Sequence, residues 1–190
     1  MNVRSLAPAL LPAVAILLGG CSNDPVSVSR PVGISLTVAS KDAGAGGAVA
    51  VDKDINTENG NPYGAFVNDA VSGLGGKNPS RISVATLSLA LLPSSTNVTA
   101  LEQVLTGPVA ISFQMSGSNA IYPVGSVANP TGTSAGLAVA FDSQSMPPTD
   151  YGALLGGQFK VLLTGTAPSG FSSANATADL EANFVFVAYE

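Results

Sequence analysis

The sequence predicts an all-β protein, an antiparallel β-sandwich of Ig-like or jelly-roll-like kind carrying one or two short helices. Two observations lead there. About eight segments alternate apolar and polar residues at period two, and clusters of Gly, Pro, Ser and Asn separate them. Helical periodicity surfaces only in short pieces, with no regular strand–helix–strand alternation. A third observation agrees. Charged residues make up 10% of the 190-residue chain, against ~25% in an average soluble domain. Solubility must come from Ser, Thr, Asn and Gly, which suits a turn-rich β-protein. A closed barrel is the alternative architecture. A membrane-spanning barrel does not fit, because the strands are few and irregular and lack aromatic girdles.

The elements read in order as follows. Ile34, Leu36 and Val38 alternate with Ser35, Thr37 and Ala39, a half-buried strand. Gly44, Gly46 and Gly47 make a turn, and Ala48 to Asp52 a second strand. Asn61-Pro62 is an N-cap followed by Pro at the first helical position. Phe66, Val67, Ala70, Val71 and Leu74 then recur at helical spacing until Gly75-Gly76 stops them. Ile82 to Leu92 is a long apolar strand with both faces apolar near its end, which a bulge would explain. Thr99-Ala100-Leu101-Glu102 has the capping-box pattern and predicts one helical turn to about Leu105. Val109, Ile111, Phe113 and Met115 alternate cleanly. Asn119 to Val127 is a weaker strand that Pro123 assigns to a sheet edge. Leu137, Val139 and Phe141 form another, Tyr151 to Leu155 a helical turn, and Phe159, Val161 and Leu163 a further strand. In the last strand Ala178, Leu180, Ala182, Phe184 and Phe186 share one face, while Asp179, Glu181 and Asn183 share the other. Gly-rich patches at 43–50 and 129–136 read as loops.

The N-terminal residues form a separate unit. Arg4 precedes a 13-residue apolar run, Leu6 to Leu18. That is too short for a membrane span of about 20 residues, but it has the length of a secretory h-region. It ends in Leu18-Gly19-Gly20-Cys21. This run resembles the lipobox of bacterial lipoproteins: an aliphatic residue, two small residues that admit the peptidase, then a Cys whose thiol accepts diacylglycerol. The resemblance covers only these first 21 residues. It implies cleavage before Cys21, lipidation of Cys21 and attachment to membrane lipid in the bacterial cell envelope. With Ser22 rather than Asp after the Cys, it implies the outer membrane where the cell has one. The chain divides into a signal peptide (1–20), a polar tether (21–31) and a single β-domain (32–190).

Residue types limit the chemistry. There is no His, and Cys21 is the only Cys, so neither an internal disulfide nor a His-assisted nucleophile is available. The net charge of -5 excludes nucleic acid as a partner, because counterion release needs clustered Lys and Arg. Gly132-Thr133-Ser134-Ala135-Gly136 has the G-x-S-x-G spacing without the His it requires, and reads as a turn. The glycines around Lys77 lack the remaining residues of a phosphate loop.

The stretch most suited to ligating chemistry is Asp52, Asp54, Asn56 and Glu58, with side-chain oxygens at every second position. Calcium takes six to eight oxygens, so these four residues are a candidate calcium site that needs further donors. The plainer reading is a solvated strand end leading into a polar loop. Asp179 and Glu181 share a face of the last strand that reads as wet.

The expected function is a non-enzymatic role in binding, adhesion or assembly at the envelope, with an envelope protein or surface glycan as partner. The alternatives are a carboxylate-dependent hydrolase, to which Asp142 and Asp150 would contribute, and a carrier of an apolar ligand.

Overall fold

The computed structural model describes residues 26–55 and 61–190. Eight strands form one antiparallel sheet: β1 (Ser27–Ala39), β2 (Ala48–Ile55), β3 (Arg81–Leu91), β4 (Thr106–Met115), β5 (Ile121–Val127), β6 (Ser134–Val139), β7 (Phe159–Thr166) and β8 (Thr177–Tyr189). Two helices, α1 (Pro62–Gly73) and α2 (Pro148–Leu155), complete it with several single 3-10 turns. The expected all-β antiparallel class with short helices is what the chain adopts.

The sheet order is β1-β8-β3-β6-β5-β4-β7-β2. The sandwich is a single sheet folded on itself. Phe113 of β4 lies 5.8 Å from Phe184 and 6.1 Å from Phe186 of β8, ring centre to ring centre, so the two halves of the order face each other across one core. The halves are joined by only two residue pairs between β5 and β6, Gly125–Val139 and Ser126–Ala138. On the other side the edge strands β1 and β2 approach one another without forming a ladder.

Alternation decides what fills the interior. Val32, Ile34, Leu36 and Val38 of β1, Val109, Ile111, Phe113 and Met115 of β4, and Ala178 to Ala188 at even positions of β8 are buried. In β3 the inward positions change parity, from Ile82 and Val84 to Leu87 and Leu89. The register against β8 slips between Val84 and Thr86. One extra residue, Ala85, lets both apolar runs face the core, which is why the sequence looked apolar on both faces there.

Three local expectations need correction. First, β1 begins at Ser27, inside the stretch 21–31 read as tether. Pro31 is tolerated because β1 is an edge strand and pairs only with β8. Second, β5 is not an edge strand, since it lies between β6 and β4. Pro123 is accommodated because the β4 register shifts beside it and β6 pairs with β5 only at Gly125 and Ser126. Third, Thr99 does not cap the 101–103 turn: Ala100 stands at the cap without a side-chain hydrogen bond, and Gln103 Oε1 accepts the Thr99 amide at 2.8 Å. Glu102 instead accepts the Gly132 amide at 2.7 Å and ties two loops together.

Helix α1 starts as its sequence dictates, with Asn61 Oδ1 accepting the Tyr63 amide at 2.9 Å and Pro62 in the first turn. Gly75 and Gly76 adopt positive φ and end it. It lies across the start of β1, where Asp69 pairs with Arg30. A side chain at Gly73 would strike Val28, with Cβ 2.5 Å from its Cγ2, so this approach requires glycine. Tyr63 and Phe66 point into the barrel. Tyr63 packs edge-on against Phe159 at 5.0 Å and Phe186 at 5.2 Å, and its hydroxyl donates to the Leu154 carbonyl of α2 at 3.0 Å.

Phe186→Ala is expected to destabilise the fold by about 3–5 kcal/mol, because it leaves a cavity among the four rings that pack on it, Tyr63, Phe66, Phe113 and Phe184. Ser29→Ala on the outer face is expected to stay within about 0.5 kcal/mol. Urea unfolding of both variants checks this.

Base should also unfold the protein. Burial holds the Tyr63 hydroxyl well above its ordinary range and pushes Tyr151 up to about 12; the hydrogen bond to Asp150 raises Tyr122. These groups release protons from the unfolded chain near pH 10 but keep them in the folded one. Their contribution is therefore complete below about pH 10 and is lost as pH rises through the folded-state values. Urea midpoints across this range measure it, and Tyr63→Phe should flatten the decline.

Candidate functional site

The sequence-selected carboxylates separate into distinct settings. On β2, alternation puts Asp52 and Asp54 on the outer face, and pairing with β7 places Lys160 opposite Asp54. The Lys160 ammonium lies 2.9 Å from Asp52 Oδ2 and 3.6 Å from Asp54 Oδ1. It occupies the position between the two carboxylates where a cation would sit. The hydrogen bond to Asp52, then the charges of Asp52 and Asp54, hold its proton more firmly than usual. Asn56 and Glu58 lie outside the described residues, as does Cys21. Among the described residues, no three Cys, Asp or Glu side chains converge as metal ligands.

Asp142 is gripped by Arg81. The guanidinium Nε is 3.0 Å from both carboxylate oxygens, and its carbon stands 4.4 Å above the Tyr189 ring. Asp142 Oδ1 also accepts the Gln144 amide at 2.9 Å, capping the 143–145 turn. Asp150, buried in the first turn of α2, accepts a 2.6 Å hydrogen bond from the Tyr122 hydroxyl. Asp179 accepts from Thr37 and Ser94 at 3.1 and 2.8 Å, and Glu181 lies over Gly33 on the outer face. Asp142, Asp150 and Asp179 are thus each held by partners from other segments of the chain. Ser134 is exposed at the start of β6. The chain continues from it into a strand, not into the helix that a nucleophile elbow needs.

The surface divides by end. Because the chain runs up and down the barrel, the connections fall in two groups. Residues 40–47, 92–105, 128–133 and 167–176 form one end, built of loops and single 3-10 turns without an α-helix. The segments carrying α1 and α2, together with the 116–120 hairpin, form the other. At the turn end, the segments 97–103 and 168–174 border an open groove of about 490 Å³. Val98 and Phe171, 7% and 3% exposed, form its apolar floor. Asn97, Glu102 and Gln103 supply its polar rim. Its shape is held locally. Asn97 and Asn175 both take positive φ, 59° and 48°, and the Asn97 amide nitrogen donates to the Asn175 carbonyl at 3.0 Å. An apolar floor ringed by amides and one carboxylate can hydrogen-bond hydroxyl or amide groups of a ligand lying across it. The sequence offered no signal for this groove, because its two walls are about 70 residues apart.

No family model matches the chain, and no curated protein matches it by sequence. Among the described residues, no helix is long and apolar enough to cross a membrane.

With Lys160 already paired to Asp52 and Asp54, the melting temperature is expected to be equal in calcium and in chelator. A rise in calcium would instead mean that Asn56 and Glu58 complete a site strong enough to displace the lysine.

Proposed function

We propose that this chain is a bacterial envelope lipoprotein, cut before Cys21, lipidated there and held at a membrane surface, the outer membrane where the cell has one. Its barrel serves a non-enzymatic role in binding, adhesion or assembly, with an envelope protein or surface glycan as partner. The observation that carries the reading is Leu18-Gly19-Gly20-Cys21 at the end of a 13-residue apolar run behind Arg4. Two acyl chains or more on Cys21 would anchor it stably, whereas one chain binds only marginally.

The barrel supports the same reading in its own way. Its carboxylates Asp52, Asp54, Asp142, Asp150 and Asp179 are engaged by Lys160, Arg81, Tyr122, Ser94 and Thr37. The groove at its turn end carries amides and an apolar floor. A surface that recognises without reacting needs no more than this.

Cys21→Ala is expected to abolish incorporation of labelled fatty acid and leave the full-length precursor unprocessed. Mature, membrane-bound protein in that variant would refute the proposal.

A further inference from the structure

We infer that the helix-bearing end of the barrel is a surface that rests on a lipid bilayer, and that the turn end, with the Asn97–Phe171 groove, faces away from it. The inference rests on the proposed anchor at Cys21.

The first support is the reach of the chain. β1 enters at the helix-bearing end, where Ser27 pairs with Tyr189. The ladder continues one residue further, since the Glu190 amide donates to the Val26 carbonyl at 3.1 Å. Between Cys21 and Val26 lie only residues 22–25, so five Cα steps, at most about 18 Å, separate the lipid from the barrel. The turn end is much farther away. β1 has 13 residues; at about 3.3 Å each and a tilt of about 40°, it carries the chain about 30 Å along the barrel axis.

The second support comes from side chains and is independent of the first. Among the described residues the exposed large hydrophobics are Val26 and Ile121, 53% and 57% exposed, and both lie at the helix-bearing end. All four tyrosines belong to that end too: Tyr63 on α1, Tyr122 at the start of β5, Tyr151 on α2 and Tyr189 at the end of β8. Tyr122, Tyr151 and Tyr189 are half-buried at its rim; the hydroxyls of Tyr122 and Tyr151 donate to Asp150 and to the Pro79 carbonyl, so what they offer a membrane–water interface is ring surface. Most cations there are paired with anions: Arg30–Asp69, Lys77–Glu190 and Arg81–Asp142, and Lys160 at the start of β7 with Asp52 and Asp54 at the end of β2; Lys53 is exposed beside them. Approach to lipid at this end therefore strands few unpaired charges.

The flank beside β1 formed by β8 is less suited. β8 presents Asp179 and Glu181 outward. A barrel lying on that flank would press carboxylates against anionic headgroups and strip them of water.

The test uses the full lipidated chain in phosphatidylethanolamine–phosphatidylglycerol vesicles containing a headgroup spin-labelled lipid. Ser118→Cys, beside Ile121, and Ser169→Cys, on the groove wall, each receive a thiol-reactive fluorophore. Quenching at 118 is expected to be several-fold stronger than at 169, and Val26→Ser with Ile121→Ser should narrow that difference. Equal or reversed quenching overturns the orientation. The mass of the N-terminal peptide is measured on the same samples: a lipid-free Cys21 defeats the anchor and the orientation together, whereas lipidated Cys21 with equal quenching defeats the orientation alone.

Discussion

The fold depends on how one open sheet is made to enclose a core. β1 and β2 end the strand order and form no ladder with each other, so backbone hydrogen bonds alone leave a seam. Tyr63 bridges it from within. Its ring meets Phe159 on β7, the neighbour of β2, and Phe186 on β8, the neighbour of β1. Phe113 extends the contact to Phe141, Phe159 and Phe184, and Phe66 stacks on Phe186 at 5.2 Å. Aromatic packing across the core supplies the closure that strand pairing does not. With no disulfide available, the barrel relies on it.

The seam is also guarded against outside strands. Pro31 removes an amide donor from β1. Lys53 stands in the register of the inward residues Val49, Val51 and Ile55, yet is exposed at the edge of β2. A proline and an inward-register charge are two of the ways natural sheets discourage edge-to-edge association. Such protection matters for a chain with so few charges elsewhere on its surface.

The alternation of connections between the two ends gives the barrel a polarity that no single strand possesses. Helices, tyrosines and paired charges collect where the N-terminal segment enters, and loops and single 3-10 turns with the Asn97–Phe171 groove collect opposite. A lipid anchor, a membrane-facing end and a recognition end can then be arranged in line along one axis. On the outer face, Lys160 meets Asp52 and Asp54, and Thr37 and Ser94 meet Asp179.

The sequence by itself determined the strands. Period-two alternation is local, so β4 and β8 could be read residue by residue, as could the Asn61-Pro62 start of α1 and its Gly75-Gly76 stop. It also held the Leu18–Cys21 motif, which needs no folded context. Only the tertiary structure decided which strands are neighbours. The internal place of β5 despite Pro123 rests on two residue pairs with β6. The importance of Tyr63 rests on rings brought together from α1, β7 and β8. The company kept by Asp52 and Asp54 was equally hidden, because Lys160 is more than 100 residues away in sequence and arrives only through the β2–β7 register. The physical reason is the range of the forces involved. Alternation and capping act between residues a few positions apart, whereas sheet order, core packing and ion pairing depend on contacts that exist only once the chain has closed on itself.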